Sequence, residues 1–270
     1  IDLYAESQFG KGDQMAGTGH VFGLGFEGND DWRFSASVQF GEYDRLEQVF
    51  DRRALSLGAY RNLGDFKLSS RIEYREDDGP DVHSRQYVTS NSFTRVLDEN
   101  RLWLCQLNLA WTDDKLNGGR DARFVELDVG YAYRPAGNDN LNLVARYGFL
   151  FDLPTEGQAT LRPDERSHLV SVEGIYDLEN RWELAAKVAI RQGERRVFRD
   201  EGTWDDFGLR MVSTRARYAL TQKWDALVEY RWLSDVDGKE DRNGALMSLY
   251  RHVNDHMKVG VGFNFTDFSD

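Results

Sequence analysis

Trp32–Phe40, WRFSASVQF, places an apolar side chain at every second position. Trp32, Phe34, Ala36, Val38 and Phe40 alternate with Arg33, Ser35, Ser37 and Gln39. A period of two puts those sets on opposite faces of a strand, whereas a helix needs apolar residues three and four apart. Arg181–Arg191 repeats the pattern, with Trp182, Leu184, Ala186, Val188 and Ile190 set against Glu183, Ala185, Lys187 and Arg191. So does Trp224–Trp232, where Trp224, Ala226, Val228, Tyr230 and Trp232 oppose Asp225, Leu227, Glu229 and Arg231. One face is apolar and aromatic, the other charged.

Working outward, fifteen such segments cover residues 2–10, 18–27, 32–43, 52–62, 66–76, 85–97, 101–112, 122–134, 141–152, 166–177, 181–192, 207–219, 223–233, 244–253 and 257–266. Most are 9–13 residues long, close to the roughly 9–11 a tilted strand needs to cross a bilayer. Segments 85–97 and 244–253 alternate poorly. Short polar turns at 28–31, 63–65, 98–100, 136–140, 178–180, 221–222 and 254–256 alternate with mostly longer charged loops at 44–51, 77–84, 113–121, 153–165, 193–206 and 234–243. Short turns at one rim and longer loops at the other characterise transmembrane barrels. Trp32, Phe66, Trp103, Trp182 and Trp224 follow short turns, and Tyr43, Tyr74, Trp111, Phe151 and Trp232 lie near the long loops. That is the expected double aromatic girdle.

The pattern predicts an all-β, antiparallel up-and-down transmembrane β-barrel, one domain over residues 1–270, in a bacterial outer membrane. Single-chain bacterial barrels have an even strand number. Fifteen segments therefore imply about sixteen strands with the last one beyond Asp270, or fourteen if the two weak segments are not strands.

Composition agrees less directly. The chain is 30% charged with a mean hydropathy of −0.62, and no apolar run reaches the length of a transmembrane helix. Only 4 Pro accompany 25 Gly, and aromatics reach 13%, which suits a wall of unbroken ladders with aromatic rims. The net charge of −12 argues against nucleic acid as a partner. The expected partners are the lipid bilayer and, for a channel, small polar solutes. The one cysteine, Cys105, falls on the apolar face with Trp103, Leu107 and Leu109, where it is a small hydrophobe.

Four stretches carry a family resemblance: Phe151–Gln158 (FDLPTEGQ), Trp224–Tyr230 (WDALVEY), Asn243–Val253 (NGALMSLYRHV) and Lys258–Asp270 (KVGVGFNFTDFSD). Together they resemble the C-terminal barrel domain of very large, repeat-containing bacterial surface proteins. The resemblance implies an outer-membrane location, an anchoring role and one further strand after the NFTDFSD stretch. It supplies no substrate and no catalytic residue. Ordinary porins are a looser likeness, by architecture alone.

The polar face supplies the candidate site. Its cations are Arg33, Lys67, Arg71, Arg75, Arg146, Lys187, Arg191, Arg215, Arg217 and Arg231. They are expected to line a lumen, either setting selectivity for anionic solutes or pairing with the carboxylates on neighbouring strands. The membrane-interface aromatics are Trp32, Trp103, Trp182, Trp224 and Trp232. Catalysis is not expected. The five histidines lack metal-ligand spacing, and adjacent Ser167 and His168 point to opposite faces of a strand. Acidic runs at Asp77–Asp81 and Asp235–Asp241 lack EF-hand spacing and read as solvated loops. No cofactor is implied.

Overall fold

Each alternating segment forms a strand and pairs with its neighbours in sequence. The structure, a computed structural model, describes residues 1–10, 16–28, 31–45, 48–115, 121–137, 140–154, 163–178, 181–197, 202–236, 241–254 and 257–269. The strands are β1 (Asp2–Gly10), β2 (Ala16–Glu27), β3 (Trp32–Arg45), β4 (Gln48–Asn62), β5 (Phe66–Asp78), β6 (His83–Asp98), β7 (Arg101–Asp114) and β8 (Ala122–Tyr133). They continue as β9 (Leu141–Leu153), β10 (Asp164–Leu178), β11 (Trp182–Arg196), β12 (Asp205–Thr221), β13 (Trp224–Asp235), β14 (Asp241–Asn254) and β15 (Met257–Ser269). All lie in one sheet in sequence order, and every ladder is antiparallel.

The register keeps the apolar sets together. Leu24, Ala36, Leu57 and Ile72 face one another across β2–β5, and Val172, Val188, Val212 and Trp232 across β10–β13. A slip of one residue would move every such set to the other face. At the short-turn rim, Asp31 (φ 71°) and Gly64 (φ 74°) adopt the left-handed conformation that tight reversals require.

The two weakly alternating segments are the strands β6 and β14. The weakness of β6 has a local cause, because Thr89 and Asn91 sit among the apolar set, level with Leu109 and Leu107 of β7. Ser70 Oγ donates to Asn91 Oδ1 (2.7 Å), and Asn91 Nδ2 donates to Thr89 Oγ1 (2.9 Å) and the Leu107 carbonyl (3.3 Å). A polar group so satisfied costs little in an apolar setting.

Two expectations need correction. The connections 44–51 and 77–84 are shorter than the charge pattern implies, because β3 runs on to Arg45, β4 starts at Gln48, β5 ends at Asp78 and β6 starts at His83. Charged residues there continue the ladders rather than forming loops. The connections around 116–120, 155–162, 198–201 and 237–240 lie outside the described residues. Tyr43 is not a girdle residue. Its parity puts it on the polar face, where it packs beside Phe50 (centroids 6.1 Å apart) under the Arg52 guanidinium (5.1 Å). A Cβ on Gly19 would stand 2.1 Å from the Tyr43 hydroxyl, so glycine is what lets the ring lie flat.

β1 and β15 are the sheet edges, and no ladder joins them among the described residues. The apolar face is left bare. Phe34, Leu57, Ile72, Val188 and Val228 are all exposed, in a band that crosses the sheet. Such a band far exceeds the few hundred Å² of apolar patch a soluble monomer tolerates, and it matches the lipid-facing surface of a membrane wall.

Adjacent positions on β11 test this assignment. Val188 is 49% exposed in the middle of the apolar band, while Lys187 faces the other way and pairs with Glu173. Val188→Arg is expected to destabilise the protein in lipid vesicles by about 2–4 kcal/mol, and Lys187→Ala to change it by less than about 1 kcal/mol. Urea unfolding in vesicles measures both, and equal effects would contradict the two-faced wall.

Candidate functional site on the polar face

On the face opposite the apolar band, cations and carboxylates on the same or adjacent strands meet. In β4–β6, Glu73 accepts hydrogen bonds from Arg75 Nη2 (2.5 Å), Arg71 Nη2 (2.9 Å) and Ser56 Oγ (3.0 Å). Two layers nearer the long-loop rim, Arg52 makes a two-pronged pair with Asp77 (2.7 and 2.8 Å). Bidentate geometry of this kind is the strong form of the interaction. Lys67 lies exposed on the same face without an ion pair among the described residues, and Arg33 pairs with Glu27 across β2–β3 (3.1 Å).

Strands β8–β13 gather a further group. Arg146 donates to Asp128 (2.8 Å), Lys187 pairs with Glu173 (3.4 Å), Arg191 with Glu165, and Arg231 with Glu229. Two adjoining clefts open among them. One, of about 440 Å³, is lined by Arg146, Glu173, Lys187 and Arg191 beside apolar Leu169 and Met211. The other, of about 250 Å³, is lined by Glu173, Lys187, Arg215, Glu229 and Arg231. Five of the predicted cations therefore meet in one patch, while Arg33, Lys67, Arg71 and Arg75 lie on other strands.

Towards the short-turn rim stands a centre that sequence reasoning did not single out. Asp225, with its side chain 7% exposed, accepts from Arg217 Nη2 (2.6 Å), His252 Nε2 (2.7 Å) and Lys258 Nζ (3.1 Å). Arg217 also reaches Glu183 (3.7 Å), which holds Arg215 (2.9 Å). One network thus links β11, β12, β13, β14 and β15. The available signal was that Asp225 is the first polar-face residue of its strand, with basic residues at the same height on neighbouring strands.

The five tryptophans expected at the membrane interface lie on the apolar face. Arg61 stacks on Trp32 (5.1 Å) and Arg251 on Trp224 (5.7 Å), while Trp103 meets Tyr131 edge-on (6.0 Å) and Trp182 meets Tyr218 (4.5 Å). Trp232 lies three residues from the long-loop end of β13, in register with Val212 of β12 and so in the row that holds Val188. Ser167 and His168 do occupy opposite faces. Ser167 donates to Glu165 (2.7 Å), and His168 meets the Tyr147 hydroxyl (2.8 Å). Among the described residues no group of three His, Cys, Asp or Glu is placed to hold a metal ion.

No protein-family model matches the chain, and no curated protein matches it. Solved structures do. The ferric-catecholate import receptor Fiu of E. coli K12 superposes with a TM-score of 0.57 at 8% identity, over 94% of this chain and 58% of the receptor. The FrpB iron transporter of Neisseria meningitidis (F3-3 variant) gives 0.57 at 12% identity, over 94% and 52%. The copper transporter OprC gives 0.55 at 16% identity, over 94% and 58%. The chain spans a little over half the length of these proteins. At such identities the likeness concerns the fold, and the fold is that of bacterial outer-membrane β-barrels.

Asp225→Asn would remove the carboxylate that Arg217, His252 and Lys258 share, leaving Arg217 only the longer contact with Glu183 (3.7 Å). Because these donors are partly solvated, the expected loss is about 1–3 kcal/mol. Amide exchange should quicken in β13–β15 and stay unchanged in β3–β5. Uniform quickening, or none, would contradict the network's role in holding the β15 edge.

Proposed function

We propose that the chain anchors a larger surface or periplasmic protein in the bacterial outer membrane. The observation that carries this reading is the local neutralisation of the polar face. Nine of the ten predicted cations, all but Lys67, pair with a carboxylate of the same wall. A lumen matched in this way is stable and hydrated but presents no free row of positive charge to recruit an anion. The resemblance to the barrel domains of large repeat-containing surface proteins points the same way.

In this reading a further strand closes the wall. In an up-and-down sheet β1 and β15 run in the same direction, so one strand of opposite direction would pair antiparallel with both and bring the count to sixteen. Unpaired edges in hydrocarbon are too costly to leave.

A second reading is a diffusion channel for small polar solutes. The charged clefts of β9–β13 favour it, and the ion pairing would make it weakly selective. The two readings separate on the full-length gene and on conductance. Anchoring predicts that deleting the barrel-coding segment releases the rest of the protein from the outer-membrane fraction, and that the complete protein is silent in planar bilayers. A gene with only a signal peptide ahead of the barrel, together with steady single-channel currents, would overturn anchoring in favour of the channel.

A further inference from the structure

The apolar face is not smooth. Across β9–β13 a groove of about 540 Å³ is cut into it. Its floor is made of small side chains, Gly174, Ala186, Thr214 and Ala216, which lie on adjacent strands. Exposed Leu143, Tyr176 and Leu184 stand on one side, and Val228 and Tyr230 on the other. The groove opens in the middle of the apolar band, in the row next to Val188.

Above it on β12, four residues or roughly 13 Å nearer the long-loop rim at strand spacing, stands Arg210. Its side chain is on the apolar face, exposed, and its register neighbours are Ile190 and Ser234. The other arginines of this rim are differently placed. Arg85 pairs with Glu76 (3.1 Å), Arg166 with Glu194 (2.8 Å), and Arg53 lies across from Glu76. Arg123 stacks on Trp111 (5.0 Å), and the residues below it on the same face, Val125, Leu127 and Val129, line none of the described clefts. Arg210 alone combines a guanidinium without an acidic partner among the described residues and a groove beneath it.

We propose that this sector binds one phosphate-bearing lipid of the outer leaflet, with the phosphate on Arg210 and an acyl chain in the groove over Gly174, Ala186 and Thr214. Arg210 stands one row above Val188 on the long-loop side, where its long side chain can extend the guanidinium toward the headgroups, and guanidinium is suited to phosphate. The apolar floor fits hydrocarbon, and its depth comes from glycine and alanine where neighbouring rows carry valine and isoleucine. The separation of the two elements matches a headgroup and the upper part of its own acyl chain.

Native mass spectrometry of the detergent-solubilised full chain tests the site, with dimyristoyl phosphatidylglycerol or dimyristoylglycerol, which lacks the phosphate, as the added lipid. A one-to-one adduct is expected, with phosphatidylglycerol held about fivefold more tightly, the effect of one interfacial cation. Arg210→Gln should abolish that preference, and Arg123→Gln should leave it intact. Ala186→Leu, which fills the groove with a residue that suits the lipid-facing surface, should weaken both lipids alike. Circular dichroism of each variant confirms folding. Equal affinity of the unaltered protein for the two lipids, or a preference surviving Arg210→Gln, would overturn the phosphate contact. An unchanged adduct in Ala186→Leu would overturn the groove.

Discussion

In hydrocarbon every backbone N–H and C=O must find its partner inside the protein, since no water is there to receive it. Each ladder from β1–β2 to β14–β15 meets that demand, and everything else in the molecule follows from the resulting register. Antiparallel pairing with a side-chain period of two carries every apolar set to one face and every charged set to the other. At β5–β6 and β6–β7 simple alternation is supplemented, because Asn91 uses its amide to satisfy Ser70, Thr89 and the Leu107 carbonyl.

The polar face follows a second rule. Charges crowded onto one side of a sheet repel unless opposite signs fall at matching heights, and here they do. Arg71, Arg75 and Ser56 converge on Glu73, and Arg217, His252 and Lys258 on Asp225. Single pairs of this kind, half-hydrated, contribute little each. Their value lies in position, because the Asp225 network reaches four strands inward from the exposed β15 edge. The same matching that stabilises the wall removes the free positive field a strongly anion-selective pore would need, and that links energetics to the anchoring reading.

Much of this was legible from alternation alone. All fifteen segments are strands, and the parity that put Arg215 and Glu183 on one face is the parity seen in their ion pair. What was not legible depends on the register between strands. Tyr43 alternates into the polar set yet was read as a girdle residue by its nearness to a loop. The reach of β3 and β4 into the 44–51 connection was hidden by charge, which marks solvent exposure and not the end of a ladder. The convergence on Asp225 needed three strands brought to one height, and the groove over Gly174, Ala186 and Thr214 needed the lateral order of β10, β11 and β12. A single strand holds neither fact.

The central claim is that alternate residues of each strand face lipid and water. A nitroxide scan from Trp182 to Arg191, one cysteine at a time in a Cys105→Ser background, measures this most directly in the complete protein in phospholipid vesicles. The account predicts that oxygen accessibility peaks at Leu184, Ala186, Val188 and Ile190. Accessibility to a water-soluble nickel chelate should peak at Glu183, Ala185, Lys187 and Arg191. Two profiles rising and falling together, or repeating every three to four residues, would contradict it.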